Sequence, residues 1–201
     1  MQDAYDRWAD RYVEAFGSPH LADEEDRELI RAWAQGVDGR VLDAGCGPGH
    51  WSGFLHDLGL QVQGVDLTPS FIDHAARTRP DIPFRVGDLR RLDLPPASLG
   101  GVLAWFSLIH LEPEEAAGVL ADLRAALRPG GTLLVGFFTG DDLRPFDHRV
   151  VRAWAWPVGA VREALRDAGL EVLDGHRRVQ PNGRIVADLT ARRPMEPAVR
   201  R

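Results

Sequence analysis

The chain of 201 residues contains no lysine, one asparagine and one cysteine, and all 24 of its basic residues are arginine. The single cysteine, Cys46, excludes an intrachain disulfide and any zinc site that needs several cysteines. Because lysine is absent, the chain cannot form the Gly-Lys-Ser/Thr end of a mononucleotide phosphate-binding loop.

Long apolar runs and an excess of positive charge are also missing. No apolar run approaches the ~20 residues of a membrane span, and no apolar segment follows the amino terminus as it would in a signal peptide. The net charge of −6 argues against a protein that binds nucleic acid through its phosphates. The seven histidines show no metal-ligand spacing. These absences predict a cytoplasmic protein with no metal site and no nucleic-acid or membrane partner.

The hydrophobic pattern indicates one α/β domain. Short apolar runs alternate with amphipathic stretches, which is typical of a mostly parallel sheet. We expect a helical segment over 1–38, a core over 39–193 and a tail over 194–201. The predicted strands are 40–44, 60–65, 83–86, 101–107, 132–138, 170–178 and 184–191. The predicted helices are 3–16, 22–35, one ending near 58, one from Pro69 capped by Thr68, 112–127 and 157–168. Residues 139–151 have no clear period and are predicted to be a loop.

The strongest local signal is a glycine-rich turn, Asp-Ala-Gly-Cys-Gly-Pro-Gly, over residues 43–49. It follows an apolar strand and opens a helix, which is where α/β sheets bind nucleotide-like ligands. The next strand ends at Asp66, whose carboxylate can accept hydrogen bonds from both hydroxyls of a ribose. A Gly-x-Gly alone is equally typical of a tight structural turn. Asp66 favours the ligand-binding interpretation.

The spacing also bears on which ligand carries the ribose. His50 stands where a dinucleotide fingerprint has its third glycine, which argues against NAD. The turn instead resembles the first motif of class I S-adenosylmethionine-dependent methyltransferases. The resemblance extends over about residues 5–192 and includes the segments 87–89, 104–110, 128–131 and 136–138. Residues 99–102 depart from it, because many members carry Phe-Asp-x-Val there.

The resemblance is closest to a bacterial small-molecule branch of the family. It implies a Rossmann-like, seven-stranded, mostly parallel sheet with an antiparallel last strand, helices on both faces and an amino-terminal helical lid. It also implies S-adenosylmethionine as cofactor, S-adenosylhomocysteine as product and a small-molecule acceptor. The residues expected to bind the cofactor are Tyr12, Gly45, Cys46, Gly47, Asp66, Leu67, Gly87, Asp88, Leu89 and Phe106. Asp88 would accept from the adenine amino group, or else only cap a turn. Tyr12 would approach from the lid, or else only pack its helix.

Methyl transfer to a hydroxyl requires a base, and His110 follows the fourth strand, at the edge where ligands of this fold bind. A histidine there can also simply cap backbone groups. His148 and Trp154 are candidates for contact with the acceptor, although Trp154 could instead pack in the core. The expected reaction is transfer of the methyl group to an oxygen, nitrogen or carbon nucleophile. The alternative is a cofactor-binding protein of this fold that catalyses a cyclisation or has lost its activity. The acceptor and the oligomeric state stay open.

Overall fold

The structure, a computed structural model, describes residues 23–147, 152–180 and 183–196. Two of the expected site residues, Tyr12 and His148, lie outside the described residues, as does the predicted first helix. The described helices are α1 (Glu24–Gln35), α2 (His50–Asp57), α3 (Pro69–Thr78), α4 (Pro113–Ala126) and α5 (Val158–Asp167). The strands are β1 (Arg40–Ala44), β2 (Gln61–Asp66), β3 (Phe84–Val86), β4 (Leu99–Trp105), β5 (Leu127–Phe138), β6 (Arg144–Asp147), β7 (Arg152–Ala155), β8 (Glu171–Val179) and β9 (Ile185–Arg192).

Seven of these strands form one sheet in the order β3-β2-β1-β4-β5-β9-β8. Neighbours from β3 to β5 are parallel, whereas β9 is antiparallel to both β5 and β8. The predicted Rossmann-like sheet with an antiparallel last strand is therefore confirmed. The chain proceeds from β1 towards β3 on one side and continues with β4 on the other. Ligands of open α/β sheets bind at such a reversal, outside the carboxyl ends of the strands.

Helices cover both faces of the sheet, and a buried apolar cluster lies under each layer. On one face, Ile30 and Trp33 of α1 belong to the same cluster as Leu103 of β4. On the other face, Leu123 of α4 and Leu165 of α5 share a cluster with the strand residues of β5 and β9. Within the described part of the chain, every helix is too short or too polar to cross a membrane.

The departure of residues 99–102 from the family pattern has a packing explanation. A Cβ atom at Gly100 would overlap the carbonyl oxygen of Asp38, in the connection that leads into β1. The close approach of the two backbones requires glycine at this position. Aspartate would not fit here without moving the start of β1.

The boundaries of β5 and the loop after it differ from the prediction. The α4 helix ends at Ala126, and β5 begins at Leu127, which pairs with Leu99 before the register shifts. The predicted loop is wrong in part, because β6 pairs antiparallel with β7 in a separate two-stranded ribbon. Ala153 and Ala155 of β7 are buried in the core. Strands of four residues give too little alternation for the sequence to predict them.

Candidate active site

The carboxyl ends of neighbouring strands bring the predicted cofactor residues to one edge of the sheet. Ala44 pairs with Val65, and Asp66 pairs with Val86. The residues that follow β1 and β3, Gly45 and Gly87, therefore lie on the same edge as Asp66. Residues that are about 20 positions apart in sequence become neighbours because each strand returns to this edge after a helix.

The glycine turn is fixed to the end of β2 by its own backbone. Both Gly45 N–H and Cys46 N–H donate to the carbonyl oxygen of Val65, at 2.8 and 3.0 Å. Gly45 has a φ of +80° and Gly47 a φ of +53°, in the left-handed region that favours glycine. An added Cβ at Gly47 would meet nothing within 4 Å. The space beside Gly47 is therefore open for a ligand that lies against the main chain.

Asp66 connects the end of β2 to this turn. One carboxylate oxygen accepts from Gly47 N–H at 2.9 Å, and the other accepts from Thr68 N–H at 2.8 Å. Burial raises the pKa of this carboxyl group, and the backbone donors partly oppose that rise. Hydrogen bonds from the Thr68 side chain and the Leu67 backbone also lower this pKa, and acceptance from the ribose hydroxyls by the same carboxylate stays a prediction. Thr68 is the N-cap residue of α3 and Pro69 begins the helix, as predicted, although the Thr68 side chain makes no capping hydrogen bond.

Asp88 follows β3 and caps the short 3-10 helix Leu89–Arg91. Its two carboxylate oxygens accept from the Arg90 guanidinium at 2.9 and 2.7 Å. Hydrogen bonding to Arg90 holds the pKa of Asp88 below its usual range. The carboxylate thus makes the turn-capping contacts that were the alternative to adenine recognition. Its contact with adenine stays a prediction, as do those of Gly87 and Leu89.

Two other predicted cofactor residues take unexpected positions. The Cys46 side chain is buried beneath the turn against Gly64, and burial raises the pKa of its thiol well above the usual range. Only the backbone of Cys46 can face a ligand. Phe106, directly after β4, has a φ of +54°, which is rare for a residue other than glycine. Such backbone strain is common at functional sites. Leu67 lies half-buried between Asp66 and Thr68.

His110 ends the 3-10 helix Leu108–His110 that follows β4. Its Nδ1 lies 3.1 Å from the carbonyl oxygen of Arg152 at the start of β7. A carbonyl oxygen can only accept, so Nδ1 carries the hydrogen and, in the neutral ring, Nε2 is the basic nitrogen. Burial lowers the pKa of His110, although the bond to Arg152 partly opposes this. The ring is therefore neutral near pH 7 and able to take up a proton.

Trp154 lies on the outer face of the β6–β7 ribbon, opposite the buried Ala153 and Ala155. The Arg152 guanidinium stacks on its ring, 4.9 Å from the centroid. Trp154 is therefore not a core residue, and its contact with an acceptor stays a prediction. Phe106, by contrast, packs on Phe138 with 4.9 Å between ring centroids, and Phe138 packs in turn on Phe146 of the ribbon at 5.2 Å.

Sequence reasoning assigned no role to a buried acid beneath the glycine turn. Asp43 of β1 is 2% exposed, and its carboxylate accepts from the Ser52 hydroxyl of α2 at 2.7 Å. Burial raises the pKa of Asp43 to about 7. The pair attaches α2 to β1 directly below the turn. An acidic residue within an apolar strand was the sequence signal for such a buried site.

This burial makes a testable prediction for stability. In the unfolded chain Asp43 ionises near its ordinary pKa of 3.8, whereas in the folded chain it keeps its proton up to about pH 7. The free energy of unfolding therefore falls as the pH rises from the pKa of Asp43 in the unfolded chain to its pKa in the folded chain. Asparagine at position 43 does not titrate. As the pH rises from 5 to 8, we therefore expect the free energy of unfolding of Asp43→Asn to increase by about 1–3 kcal/mol relative to that of the unmodified protein. Urea unfolding at several pH values measures the difference.

The exposed Asp93 offers a matched control. Asp93→Asn should follow the unmodified protein across the same pH range. If the free energies of unfolding of Asp43→Asn and the unmodified protein differed by the same amount at every pH, Asp43 would already be ionised in the folded state.

A second buried group of charges was also missed. Arg178 of β8 donates to Asp26 of α1, and also to Asp188 of β9 at 3.0 Å. Asp188 contacts His176 Nδ1 at 3.1 Å, and Trp105 Nε1 donates to Asp26 at 3.4 Å. Asp26 is 5% exposed and Asp188 is 1% exposed. This network attaches the first turn of α1 to the β8–β9 pair and to the end of β4. The sequence could not predict this network, because Asp26 and Arg178 are 152 residues apart.

The arrangement fits a nucleoside cofactor better than a metal ion. Gly47 leaves an open surface of main chain, and Asp66 offers paired acceptors beside it. Among the described residues, no group of three His, Cys, Asp or Glu side chains could hold a metal ion.

Residues 41–131 match the family described as "Methyltransferase domain". A probable S-adenosylmethionine-dependent methyltransferase of Mycolicibacterium smegmatis is 33% identical over 142 residues, which cover 67% of this chain and 52% of that protein. The chain spans about half the length of the curated relatives that it matches. The resemblance to the class I S-adenosylmethionine-dependent methyltransferases is confirmed, and residues 41–131 belong to a methyltransferase domain.

Solved structures and a further relative extend the comparison. The 1,6-didemethyltoxoflavin-N1-methyltransferase of Burkholderia thailandensis, crystallised with its substrate and S-adenosylhomocysteine, superposes with a TM-score of 0.74 at 26% identity. The alignment covers 96% of this chain and 91% of that one. The cyclase SpnF shares the fold, with a TM-score of 0.81 at 20% identity over 97% of this chain and 96% of that one. The S-adenosyl-L-methionine-dependent Diels-Alderase iccD of Talaromyces variabilis is 33% identical over 132 residues, 60% of this chain and 44% of that protein.

Proposed function

We propose that this chain transfers a methyl group from S-adenosylmethionine to a small-molecule acceptor. The observation that carries the proposal is the assembly at one sheet edge: an open glycine turn bonded to the carboxylate of Asp66. His110, a neutral histidine, follows the neighbouring strand β4 at its carboxyl end. The methyltransferase-domain match over residues 41–131 supports the same assignment.

The bound cofactor would supply an activated methyl group on its sulfonium, so the chain needs no covalent nucleophile. Gly45 and Gly47 let the ligand lie against the main chain, and Asp66 accepts from its ribose hydroxyls. Orientation of the two reactants is then the main contribution of the chain. Where the acceptor is a hydroxyl, Nε2 of His110 accepts its proton.

The acceptor class, the lid and the location are finer parts of this proposal. A small molecule is favoured over nucleic acid by the net charge of −6. The toxoflavin-precursor methyltransferase, which the fold matches along most of both chains, also acts on a small molecule. We further propose that the segment before β1 covers the cofactor and that the protein is a cytoplasmic bacterial enzyme.

A second candidate function uses the same pocket without methyl transfer. The likeness to the Diels-Alderase iccD over 60% of this chain favours a cyclisation that requires the cofactor to be bound. Mass analysis of the products distinguishes the two reactions. Methyl transfer adds the mass of a methyl group to the acceptor and releases S-adenosylhomocysteine, whereas a cyclisation leaves the mass of its substrate unchanged and consumes no cofactor.

Asp66→Ala tests cofactor binding directly. We expect it to weaken the affinity for S-adenosylhomocysteine by about 1.5–3 kcal/mol, because two hydrogen bonds to a charged acceptor are lost. Isothermal titration calorimetry measures the change. Asp57→Ala, which removes an exposed carboxylate on α2, is the matched control and should bind normally. Normal binding by Asp66→Ala would refute the ribose assignment, and no binding by the unmodified protein would refute the proposed function.

A further inference from the structure

His176 of β8 belongs to the network that attaches α1 to the β8–β9 pair, and its ordinary pKa of 6.5 lies close to neutrality. Its Nδ1 lies 3.1 Å from the carboxylate of Asp188, and its Nε2 lies 3.7 Å from the carboxylate of Asp174. A carboxylate can only accept, so Nδ1 carries a hydrogen, and a second proton on Nε2 would face Asp174. Both ring nitrogens face negative oxygens, and this geometry favours the positively charged ring.

Negative charge predominates around His176. Among the described residues, the carboxylates that line the cleft between α1 and the β8–β9 pair, or bond to Arg178 in it, are Glu25, Asp26, Glu28, Asp174 and Asp188. The positive side chains there are Arg178 and Arg192, and Arg192 is already paired with Glu171 at 2.7 Å. Arg178 is shared by Asp26 and Asp188. A neutral His176 therefore leaves one of these two buried charges uncompensated.

The charge of His176 follows the pH of the solvent. The hydrogen bond to Asp188 raises the pKa of His176 above its ordinary value, although burial partly opposes this. Because protonation is favoured by the folded arrangement, its stabilising contribution is complete below pH 6.5 and is lost as the pH rises through the raised pKa. The side chain of His176 is 60% exposed, so solvent supplies the proton and also screens the charge. The effect is therefore expected on a local contact and not on the whole fold.

The local contact is the one between the first turn of α1 and the end of β4. Asp26 lies in that turn and accepts from Arg178, and Trp105 Nε1 donates to the same carboxylate at 3.4 Å. Trp105 is the last residue of β4, directly before the left-handed Phe106. The guanidinium divides its hydrogen bonds between Asp26 and Asp188. The charge on the Asp188 side therefore determines how strongly Arg178 is held away from Asp26.

We propose that His176 is a pH-sensitive switch for the attachment of α1 to the sheet. In its protonated state it neutralises Asp188 and leaves Arg178 available to Asp26, so the first turn of α1 stays on the sheet. When His176 loses its proton, Asp188 competes with Asp26 for the guanidinium, and the first turn of α1 opens more often. The switch needs no bound cofactor, so it can hold or fail independently of the proposed function.

Hydrogen exchange of the backbone amides of α1 at pH 6 and pH 8, corrected for the intrinsic exchange rates, tests the switch. Between these pH values, we expect opening of α1 to increase about 2- to 5-fold more in the unmodified protein than in His176→Gln, the size expected of a partly exposed ion pair. Glutamine can donate to Asp188 but cannot gain a proton. Any effect of Asp43 is the same in both proteins and cancels.

Two further variants separate the charge from the side chain that carries it. His176→Lys keeps its positive charge at both pH values, so α1 should stay closed at pH 8. His74→Gln, at a histidine of α3, is the matched control and should behave like the unmodified protein. Unchanged protection of the β1 amides verifies that the variants are folded. NMR titration of the His176 ring should give a pKa above 6.5, and Asp188→Asn should lower it.

The other outcomes overturn the switch in distinguishable ways. The same pH dependence in His176→Gln and the unmodified protein would assign the effect to another group. If α1 of His176→Lys opened at pH 8 as often as α1 of His176→Gln, positive charge at position 176 would not be what holds the helix. A measured pKa of His176 at or below 6.5 would show that the folded arrangement does not favour the protonated ring.

Discussion

Replacing His110 by alanine is expected to lower kcat by about 10²–10⁴-fold with a hydroxyl acceptor, because a positioned general base contributes that much. The Nδ1–H bond to the Arg152 carbonyl orients the ring and leaves Nε2 as the proton acceptor. The affinity for S-adenosylmethionine should stay nearly unchanged, since His110 is not among the predicted cofactor-binding residues. Steady-state kinetics with saturating acceptor, together with calorimetry of cofactor binding, measures both quantities.

His110→Asn removes the proposed base but keeps the hydrogen bond between residue 110 and the Arg152 carbonyl. The asparagine amide can still donate to the Arg152 carbonyl, but it has no atom equivalent to Nε2. We expect it to be as inactive as His110→Ala, while His74→Ala on α3 should be fully active. A fall in kcat of less than about tenfold for His110→Ala would remove His110 from the catalytic role.

The pH profile gives a second measurement of the same role. Only the neutral ring accepts a proton, so kcat should rise with pH through the pKa of His110. Because burial lowers that pKa, the rise should occur below the ordinary value of 6.5, and the rate should be level near neutrality. The acid limb should be absent from the residual activity of His110→Asn.

Replacing Arg178 by methionine is expected to lower the free energy of unfolding by about 3–5 kcal/mol, because one partner of a buried ion pair is removed. The carboxylates of Asp26 and Asp188 would remain buried without the guanidinium that bonds both of them. Urea unfolding at pH 7 measures the loss. The same substitution should loosen the start of α1, which hydrogen exchange of the backbone amides of α1 would detect.

Arg128→Met is the matched control for this effect. Arg128 pairs with Asp38, but the two side chains are 43% and 85% exposed, so its removal should cost less than about 1 kcal/mol. Adding Asp26→Asn and Asp188→Asn to Arg178→Met should restore part of the stability, since the uncompensated charges are then gone. Equal losses for Arg178→Met and Arg128→Met would show that the buried network contributes no more than a surface pair.

The sequence predicted the sheet and the turn well because their signals are local. Strands β1, β2, β8 and β9 lie within two residues of their predicted ends. The turn at residues 45–49 needs positive φ at three glycines, and glycine is the residue that adopts it without strain. The β6–β7 ribbon could not be predicted, because its short strands are stabilised by pairing and by burial of Ala153 and Ala155 rather than by their own pattern.

The sequence by itself therefore determined the fold class, the glycine turn and the carboxylate of Asp66 at the end of the next strand. Apolar periodicity and glycine conformation are properties of neighbouring residues, which the sequence lists in order. Only the tertiary structure decided that Asp88 is bonded to Arg90, that His110 is oriented by Arg152, and that Ser107 lies against Gly45. These contacts depend on how a side chain turns and on which distant segment packs beside it. Residues 45 and 107 lie close together because β1 and β4 pair in parallel, a proximity that neither segment encodes alone.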